Sequence, residues 1–378
     1  MNKGVSVAPF ACPNCARLVH FEVRVCPNCS FTLGYEPAVN GFLFLGDNAT
    51  TWRDAGGQDH DVVVCANNNE YEICNWLVPT TDDTPFCRAC RHNRTIPDLA
   101  ADPTVPERWG KIEAAKRRLF QELIRMGLPL ETVAEAAASG APQGLAFDFL
   151  YDPSAENNGQ QQVFTGHESG LVTLNLIEAD DVERERIRRS LGEPYRTLLG
   201  HMRHEVGHHY WSRLIENTDE IPAFRALFGD ETISYEDAKS QHYGNGEGGG
   251  WTTDFVSAYA TMHPWEDFAE TFAHYLHIVD AMATLGGFGM RMVNWPGEEE
   301  QPEVDFDPYT ASTSQLVAEW RPFSFAQNAV NRSMGQPDLY PFHISPQIVA
   351  KLDYVNQLVR RAREGAVTGA MTQPPIAA

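Results

Sequence analysis

The stretch of sequence that organises this chain is His201-Met-Arg-His204-Glu205-Val-Gly-His208-His209, which holds four of the chain's 13 histidines. Side chains four residues apart share one face of a helix, so His204 and His208 can direct both imidazoles at one metal ion. Glu205 is offset by one residue and can reach a metal-bound water, where a general base is needed. The sequence therefore predicts a metal centre on a helix that spans about residues 194–215.

A third protein ligand for the metal is expected downstream, where Glu266 and Glu270 lie one helical turn apart. The predicted helix over residues 264–282 is otherwise mostly aromatic and apolar. Burying two carboxylates on such a helix is costly unless a cation compensates them. Alternatively, both acids lie in a solvated first turn, where the helix dipole favours negative charge. Spacing alone leaves open which of the two acids would bind the metal.

The chain's eight cysteines all lie within its first 90 residues. In a reducing compartment, clustered cysteines are more often metal ligands than disulfides. Two CPNC knuckles, separated by ten residues, predict a closed tetrahedral site of four thiolates, which suits a structural Zn²⁺. Free or disulfide-linked cysteines are the alternative. The four predicted ligands are Cys12, Cys15, Cys26 and Cys29.

The remaining cysteines predict a second Cys₄ zinc site with less regular spacing. Its ligands would be Cys65, Cys74, Cys87 and Cys90. The last two form a CxxC knuckle, whereas the first two must come from the two ends of a hairpin or loop. His60 or His92 could replace one cysteine, although we interpret both histidines as exposed loop side chains. The number of structural zinc ions is therefore one or two.

The composition narrows the function classes. The 378 residues carry 29 Lys and Arg against 51 Asp and Glu, a formal charge of −22. This charge argues against a nucleic-acid partner, because phosphate contacts need clustered basic side chains, and against an anionic membrane surface. No apolar run near the start has the length of the apolar part of a signal peptide. None reaches the length of about 18 residues that a membrane span needs. We therefore expect a cytoplasmic protein without nucleic-acid or membrane partners.

The sequence pattern divides the chain into three parts. Residues 1–100 are turn-rich with short strands and hold every cysteine, whereas residues 101–365 alternate helical and strand patterns. Residues 366–378 are expected to be a disordered tail. We predict an α+β fold, in which a small metal-stapled β module precedes a mainly helical domain with a small sheet. The elements expected in the second part are helices near residues 107–126, 194–215, 264–282 and 345–364, and strands near 146–150, 162–165 and 171–177.

Here a resemblance to known families becomes specific. HExxH followed by Glu-x-x-x-Glu on a later helix resembles the gluzincin metallopeptidases, and Glu266-Asp-Phe-Ala-Glu270-Thr-Phe is similar to their lethal-factor-like branch. Nearly the whole chain resembles a bacterial family of zinc-binding metallopeptidases with an N-terminal zinc ribbon. The stretches that carry this wider resemblance are Cys74-Asn-Trp, Phe86-Cys-Arg-Ala-Cys90, Arg94-Thr-Ile-Pro-Asp, Thr165-Gly-His, Glu193-Pro-Tyr-Arg-Thr-Leu-Leu-Gly-His201 and His263-Pro-Trp-Glu-Asp.

The resemblance implies a zincin-like domain, a zinc-dependent peptidase activity and a role for each site residue. The catalytic Zn²⁺ would be held by His204, His208 and Glu266. Glu205 would be the general base, and Glu270 would accept an N–H from a ligand imidazole. The lethal-factor-like branch places a tyrosine seven residues before the ligand glutamate, where it stabilises the tetrahedral intermediate; that position is Tyr259 here. The partner would be a protein or peptide substrate, which the zinc ribbon could recruit.

Two functions remain open at this point. The chain is either an active metallopeptidase or a zinc-ribbon protein whose peptidase-like domain binds peptides without turnover. The intact Glu205 favours the first, because a pure binding site needs no base. The strand near residues 171–177 is either the edge strand that binds substrate in related zincins or a core strand. Finally, residues 178–181 are interpreted as part of a solvated helical face. His201, one turn before His204, either supports a metal ligand or, in the interpretation we favour, is a helix-face histidine with satisfied hydrogen bonds.

Overall fold

The computed structural model describes residues 9–46, 50–152, 166–190, 197–245, 250–296 and 301–371. The N-terminal region consists of two small antiparallel sheets and a short helix. One sheet has four strands in sequence order and the other has two. The elements are β1 (Leu33–Glu36), β2 (Gly41–Leu45), β3 (Trp52–Arg53), β4 (Asp59–His60), β5 (Val62–Val64), α1 (Ala66–Tyr71) and β6 (Leu77–Pro79).

An aromatic cluster forms the centre of this region. Phe21 and Tyr35 meet edge to face with ring centroids 4.9 Å apart, and Tyr35 lies 5.0 Å from Trp76. All three side chains are buried. Edge-to-face packing adds to the apolar burial, so the sheet is held to the loops that carry the cysteines.

The second region is built on a small mixed sheet. Its four strands are ordered β7-β8-β10-β9, with β8 parallel to both neighbours and β9 antiparallel to β10. The strands are β7 (Asn93–Thr95), β8 (Ala146–Leu150), β9 (Gly166–Glu168) and β10 (Leu171–Asn175). Because β7 begins three residues after Cys90, the cysteine-rich region contributes a strand to this sheet. The division of the chain at residue 100 stays a prediction.

The interior position of β10 answers one question raised by the sequence. The strand lies between β8 and β9, so both of its edges are hydrogen-bonded. It is therefore a core strand, and its interpretation as a substrate-binding edge is wrong. The strand β9, which pairs with β10 alone among the described strands, occupies the edge. The predicted strand over residues 162–165 lies outside the described residues.

Helices make up most of the second region, as predicted, and the α+β fold class is confirmed. No described helix is both long and apolar enough to cross a bilayer. The last helix continues to Met371, beyond residue 365 where the tail was expected to begin, and residues 372–378 lie outside the described part. The described helices are α2 (Val105–Met126), α3 (Val133–Ser139), α4 (Asp181–Ser190), α5 (Leu198–Leu214), α6 (Ile221–Phe228), α7 (Tyr235–Asn245), α8 (Pro264–Gly287), α9 (Thr313–Ser333) and α10 (Pro346–Met371).

The contact between α5 and α8 brings the HExxH helix to the helix that carries the two acids. A Cβ atom added at Gly207 would lie 2.8 Å from the Cα of Ala269, closer than packed side chains allow. Glycine inside a helix costs about 1 kcal/mol relative to alanine. At this position it permits the close approach of two backbones, which sets His204 and His208 against the first turns of α8.

A buried charge network also fixes α5. The guanidinium of Arg203 hydrogen-bonds the carboxylate of Glu122 on α2 and lies 3.0 Å from Asp280 Oδ2 on α8. Glu122 and Arg203 are both buried, so neither charge could remain there without its partner. The helix next to the candidate metal centre is thus tied to two neighbouring helices.

Candidate metal centres and active site

The three ligands proposed for the catalytic metal converge on one point. His204 Nε2 and His208 Nε2 are 3.2 Å apart, and they lie 3.0 and 3.3 Å from Glu266 Oε2. A tetrahedral zinc ion with bonds of 2.0–2.1 Å would place its ligand atoms about 3.4 Å apart. The observed triangle therefore has the size that such an ion requires.

The buried polar atoms of this triangle also suit a bound cation. Glu266 is 2% exposed, and its buried Oε2 atom faces the two imidazole nitrogens and has no other hydrogen-bond partner among the described residues. Its other oxygen accepts a hydrogen bond of 2.8 Å from the hydroxyl of Tyr235. A buried carboxylate oxygen and two imidazole nitrogens that converge on one point are good ligands for one divalent ion.

The electrostatics of the triangle favour positive charge at the same point. Burial acts to lower the pKa of His204, but hydrogen bonds and charges from Glu266 and Glu270 raise it well above its ordinary value. Burial acts to raise the pKa of Glu266, but the charges of His208 and His204 bring it well below its ordinary value. A metal ion would supply this positive charge in place of protons.

Glu270 contacts His204 from outside the triangle. The Nδ1 atom of His204 lies 2.7 Å from Glu270 Oε1, so an N–H at Nδ1 donates to this carboxylate and leaves Nε2 to face the metal position. Ser257 donates a hydrogen bond of 2.6 Å to the other oxygen. Burial raises and the contact with His204 lowers the pKa of Glu270, which falls to about 2.

Glu205 and Tyr259, the two proposed catalytic residues, lie beside this triangle. Burial acts to raise the pKa of Glu205, but a hydrogen bond from His201 and nearby imidazole charges leave that pKa below its usual value. The lowered pKa keeps Glu205 in its carboxylate form. Tyr259 packs against His204 with ring centroids 5.8 Å apart. Burial and the charge of Glu266 raise the pKa of Tyr235, and a hydrogen bond with Tyr259 acts in the opposite direction.

Three contributors to this site escaped the sequence interpretation, and a fourth, His201, was considered for a supporting role. Tyr235 and Ser257 come from segments without a motif, and no signal in the sequence indicated them. Glu178 was placed on a solvated face because charged residues surround it, but it is 2% exposed. Its carboxylate contacts His201 at 2.7 Å, so His201 is more than an ordinary helix-face histidine. The segment Leu176–Ala179 packs against α2 and α4, and Glu178 is buried there.

The first cysteine cluster has the dimensions of a tetrathiolate zinc site. The Sγ atoms of Cys12 and Cys29 are 3.6 Å apart, and those of Cys15 and Cys26 are 3.7 Å apart. Zinc–sulfur bonds of 2.3 Å imply separations of about 3.8 Å. A backbone N–H at Phe31 is the main cause that lowers the pKa of Cys29 to about 6, which favours the thiolate that binds metal.

The second cysteine cluster has the same size but a different environment. Cys74 Sγ lies 3.8 Å from both Cys87 Sγ and Cys90 Sγ, and all four cysteines of the set are buried. Backbone N–H groups also donate to the sulfurs; for example, the N–H of Cys87 donates to Cys65 Sγ at 3.3 Å. Burial lowers the pKa of Arg117 on α2, but the nearby cysteines raise it overall. Burial raises the pKa of Cys87 well above its usual value, so a cation is needed to hold these sulfurs as thiolates, and Arg117 lies near Cys74, Cys87 and Cys90.

Neither histidine considered as a substitute ligand joins the cysteines. His92 is buried, and its Nδ1 lies 2.8 Å from the carbonyl oxygen of Leu145, so its interpretation as an exposed loop side chain is wrong. His60 contacts Asp54 at 3.2 Å. Within the described residues, the groups able to hold a metal are two sets of four cysteines and the triangle of His204, His208 and Glu266.

Comparison with known proteins agrees with these sites. The profile of a family described as "Putative zinc-binding metallo-peptidase" matches residues 105–358, and that of a zinc-ribbon domain matches residues 9–101. Uncharacterized proteins of Mycobacterium bovis and Mycobacterium tuberculosis are 38% identical over 351 residues, which cover 93% of this chain and 94% of each relative. No solved structure matches the chain. The chain therefore belongs to this zinc-binding metallo-peptidase family, with a zinc-ribbon domain before the peptidase region.

Proposed function

We propose that this protein is a gluzincin-type zinc metallopeptidase that hydrolyses peptide bonds. The observation that carries the proposal is the triangle of His204, His208 and Glu266, with Glu205 on the adjacent helical position. Three protein ligands leave a fourth position of a tetrahedral zinc ion for water or substrate, which is the arrangement of catalytic rather than structural sites. The family assignment and the candidate site thus support the same activity.

The side chains around the triangle have separate tasks in this reaction. Bound zinc would lower the pKa of a coordinated water to about 7 and polarise the scissile carbonyl. Glu205 accepts a proton from the attacking water and passes it to the leaving amine. Tyr259 donates a hydrogen bond to the oxyanion, a contact worth about 2.7–4 kcal/mol. Glu270 and Ser257 keep His204 in the tautomer that binds metal.

The edge strand β9 is the place where we propose that the substrate backbone binds. It lies at the edge of the described sheet and runs antiparallel to β10. Its His167 stacks on His208 with ring centroids 6.2 Å apart, so this edge reaches the metal triangle. An extended peptide that adds to β9 would pass the proposed catalytic centre. We further propose that the zinc ribbon recruits a protein substrate and that the protein acts in the reducing cytoplasm.

A peptide library tests the activity directly. The zinc-loaded wild type should cleave members of the library, and Glu205→Gln should lose cleavage while retaining its zinc. Glu236→Gln is the matched control, because it removes one exposed carboxylate from α7 outside the triangle. Cleavage that survives in Glu205→Gln would reject the mechanism. Zinc-loaded wild type that binds peptides but cleaves none would favour the non-catalytic alternative.

A further inference from the structure

A chain of three side chains leads from the end of β10 to the proposed base. The two ring nitrogens of His201 each face a carboxylate: Nδ1 lies 2.7 Å from Glu178 Oε2, and Nε2 lies 3.0 Å from Glu205 Oε1. His201 and Glu205 are four residues apart on α5, so they share a face of that helix. The geometry connects the base to a group outside the motif.

Both acids that contact His201 are buried, so these contacts belong to the protein interior. Glu178 is 2% exposed and Glu205 is 5% exposed. A buried carboxylate is costly unless charged or hydrogen-bonding partners compensate it, and His201 is a partner of both. An imidazole between two buried carboxylates therefore has little freedom to turn or leave.

The outer member of the chain lies on a rigid element. Glu178 belongs to the 3-10 helix Leu176–Ala179, which follows β10 directly. The side chain of Asn175 accepts the N–H of Ile177 at the start of this helix, and Arg184 donates a 2.9 Å hydrogen bond to the Glu178 carbonyl oxygen. The Glu178 carboxylate is thus a fixed point from which His201 can be oriented.

We propose that Glu178 and His201 are positioning residues that hold the Glu205 carboxylate in its reactive orientation. His201 engages Oε1, and a base needs only its second oxygen to take a proton from water. A catalytic group must be held within about 0.5 Å of its productive position, which a glutamate with three rotatable bonds does not achieve alone. This inference rests on the proposed function for its effect on turnover, but its effect on Glu205 can be measured separately.

Binding of acetohydroxamate to the zinc-loaded protein provides that separate measurement. This probe chelates zinc through two oxygens and gives its acidic proton to a carboxylate base beside the metal, so its affinity reports the placement of Glu205. Loss of a charge-assisted hydrogen bond predicts about tenfold weaker binding in His201→Ala. Glu178→Gln should weaken binding less, and His201→Gln should restore part of the affinity. Zinc content should stay at the wild-type value in each variant.

A double-mutant cycle separates positioning from a structural role. In a Glu205→Gln background, His201→Ala should change acetohydroxamate affinity less than about twofold, because there is no base left to position. Arg186→Gln is the matched control: it loses the exposed ion pair with Glu183 on α4 but keeps the contact between Glu178 and His201, so binding should be unchanged. Equal losses in both backgrounds, or loss of zinc in His201→Ala, would overturn the inference.

Peptide cleavage distinguishes this inference from the proposed function. If the wild type cleaves peptides, His201→Ala should lower kcat about 10- to 100-fold with KM nearly unchanged. Coupled hydroxamate binding without any peptide cleavage would reject the proposed function and leave the positioning role standing. Peptide cleavage by the wild type, together with equal effects of His201→Ala in the wild-type and Glu205→Gln backgrounds, would support the proposed function and reject the positioning role. Failure of the zinc-loaded wild type to bind acetohydroxamate would count against both.

Discussion

The cysteine clusters and the His–His–Glu triangle assemble metal ligands in opposite ways. Each cysteine cluster draws four ligands from one short loop-rich segment, within residues 12–29 or 65–90. The triangle draws three ligands from two long helices, and 58 residues separate His208 from Glu266. Four ligands close a zinc site, whereas three leave a position for reaction. The difference shows that local turns are enough for a structural site, while the candidate active site depends on tertiary packing.

The cysteine clusters also differ from each other. The first lies in knuckles where Cys15 and Cys29 remain partly exposed. The second is buried and adjoins α2, with Cys90 Sγ 3.9 Å from a carboxylate oxygen of Glu113 and with Arg117 close by. Because β7 follows this cluster immediately, its metal would join the ribbon to the peptidase region as well as stabilise the ribbon.

The largest expected effect comes from breaking the buried cluster. Structural zinc in small domains contributes about 10–16 kcal/mol of apparent binding free energy, which becomes folding free energy. Cys87→Ser should therefore lose one zinc and destabilise both regions, whereas Cys15→Ser should lose one zinc and leave the helical region folded. Metal analysis and thermal unfolding by circular dichroism would compare them. Equal thermal stability of the two variants would contradict a joining role for the second site.

Removing the third ligand of the triangle should have the next largest effect. Glu266→Ala leaves two imidazoles, and we expect one zinc fewer per chain and no peptide cleavage. The helical circular dichroism should persist, since the cysteine clusters are untouched. Retention of all zinc in Glu266→Ala, together with loss of one zinc in Glu270→Ala, would show that the ligand assignment is reversed.

A smaller effect is expected when the supporting acid is changed. Glu270→Gln keeps the shape of the side chain but removes the charge that accepts the N–H of His204. Loss of such a partner lowers metal affinity about 10- to 100-fold. Competition with a chelator would measure this affinity, and Ser257→Ala should show a weaker effect in the same direction. Unchanged affinity in Glu270→Gln would mean that the 2.7 Å contact does not tune the metal site.

The smallest effect should follow from Gly207→Ala, which tests the packing on which the triangle depends. Overpacking costs about 1–3 kcal/mol, and the better helix propensity of alanine returns about 1 kcal/mol. Because the added methyl group would meet backbone atoms of Ala269, we expect the upper end of this cost and a net loss of stability of about 2 kcal/mol, with weaker binding of the catalytic metal and intact cysteine sites. Denaturant unfolding and zinc titration would measure the two effects. Increased stability with unchanged zinc affinity would contradict the close packing on Ala269.

The local part of this account could be predicted from the sequence. Helical periodicity alone brings His204 and His208 to one face, and the CPNC knuckles determine which sulfurs meet. Assigning Glu266 needed more than spacing: a motif shared with known metallopeptidases pointed to it, and the helix contact at Gly207 then brings it to the histidines.

The non-local part could not be predicted in the same way. Glu178 follows β10 in a segment rich in charge, and the packing of that segment against α2 and α4 buries it. His92 was missed for the same reason, since its partner Leu145 lies 53 residues away. The interior position of β10 depends on its pairing with β9, and the sequence pattern of one strand does not show which strands pair with it. Tyr235 reaches Glu266 from another helix without any motif.

Zinc content and peptide cleavage measured on the same preparation of Glu205→Gln test the central claim most directly. The account predicts about three zinc ions per chain in both wild type and variant, because Glu205 is not a ligand. It also predicts cleavage by the wild type and none by the variant. Cleavage by zinc-loaded Glu205→Gln at the wild-type rate would contradict the account.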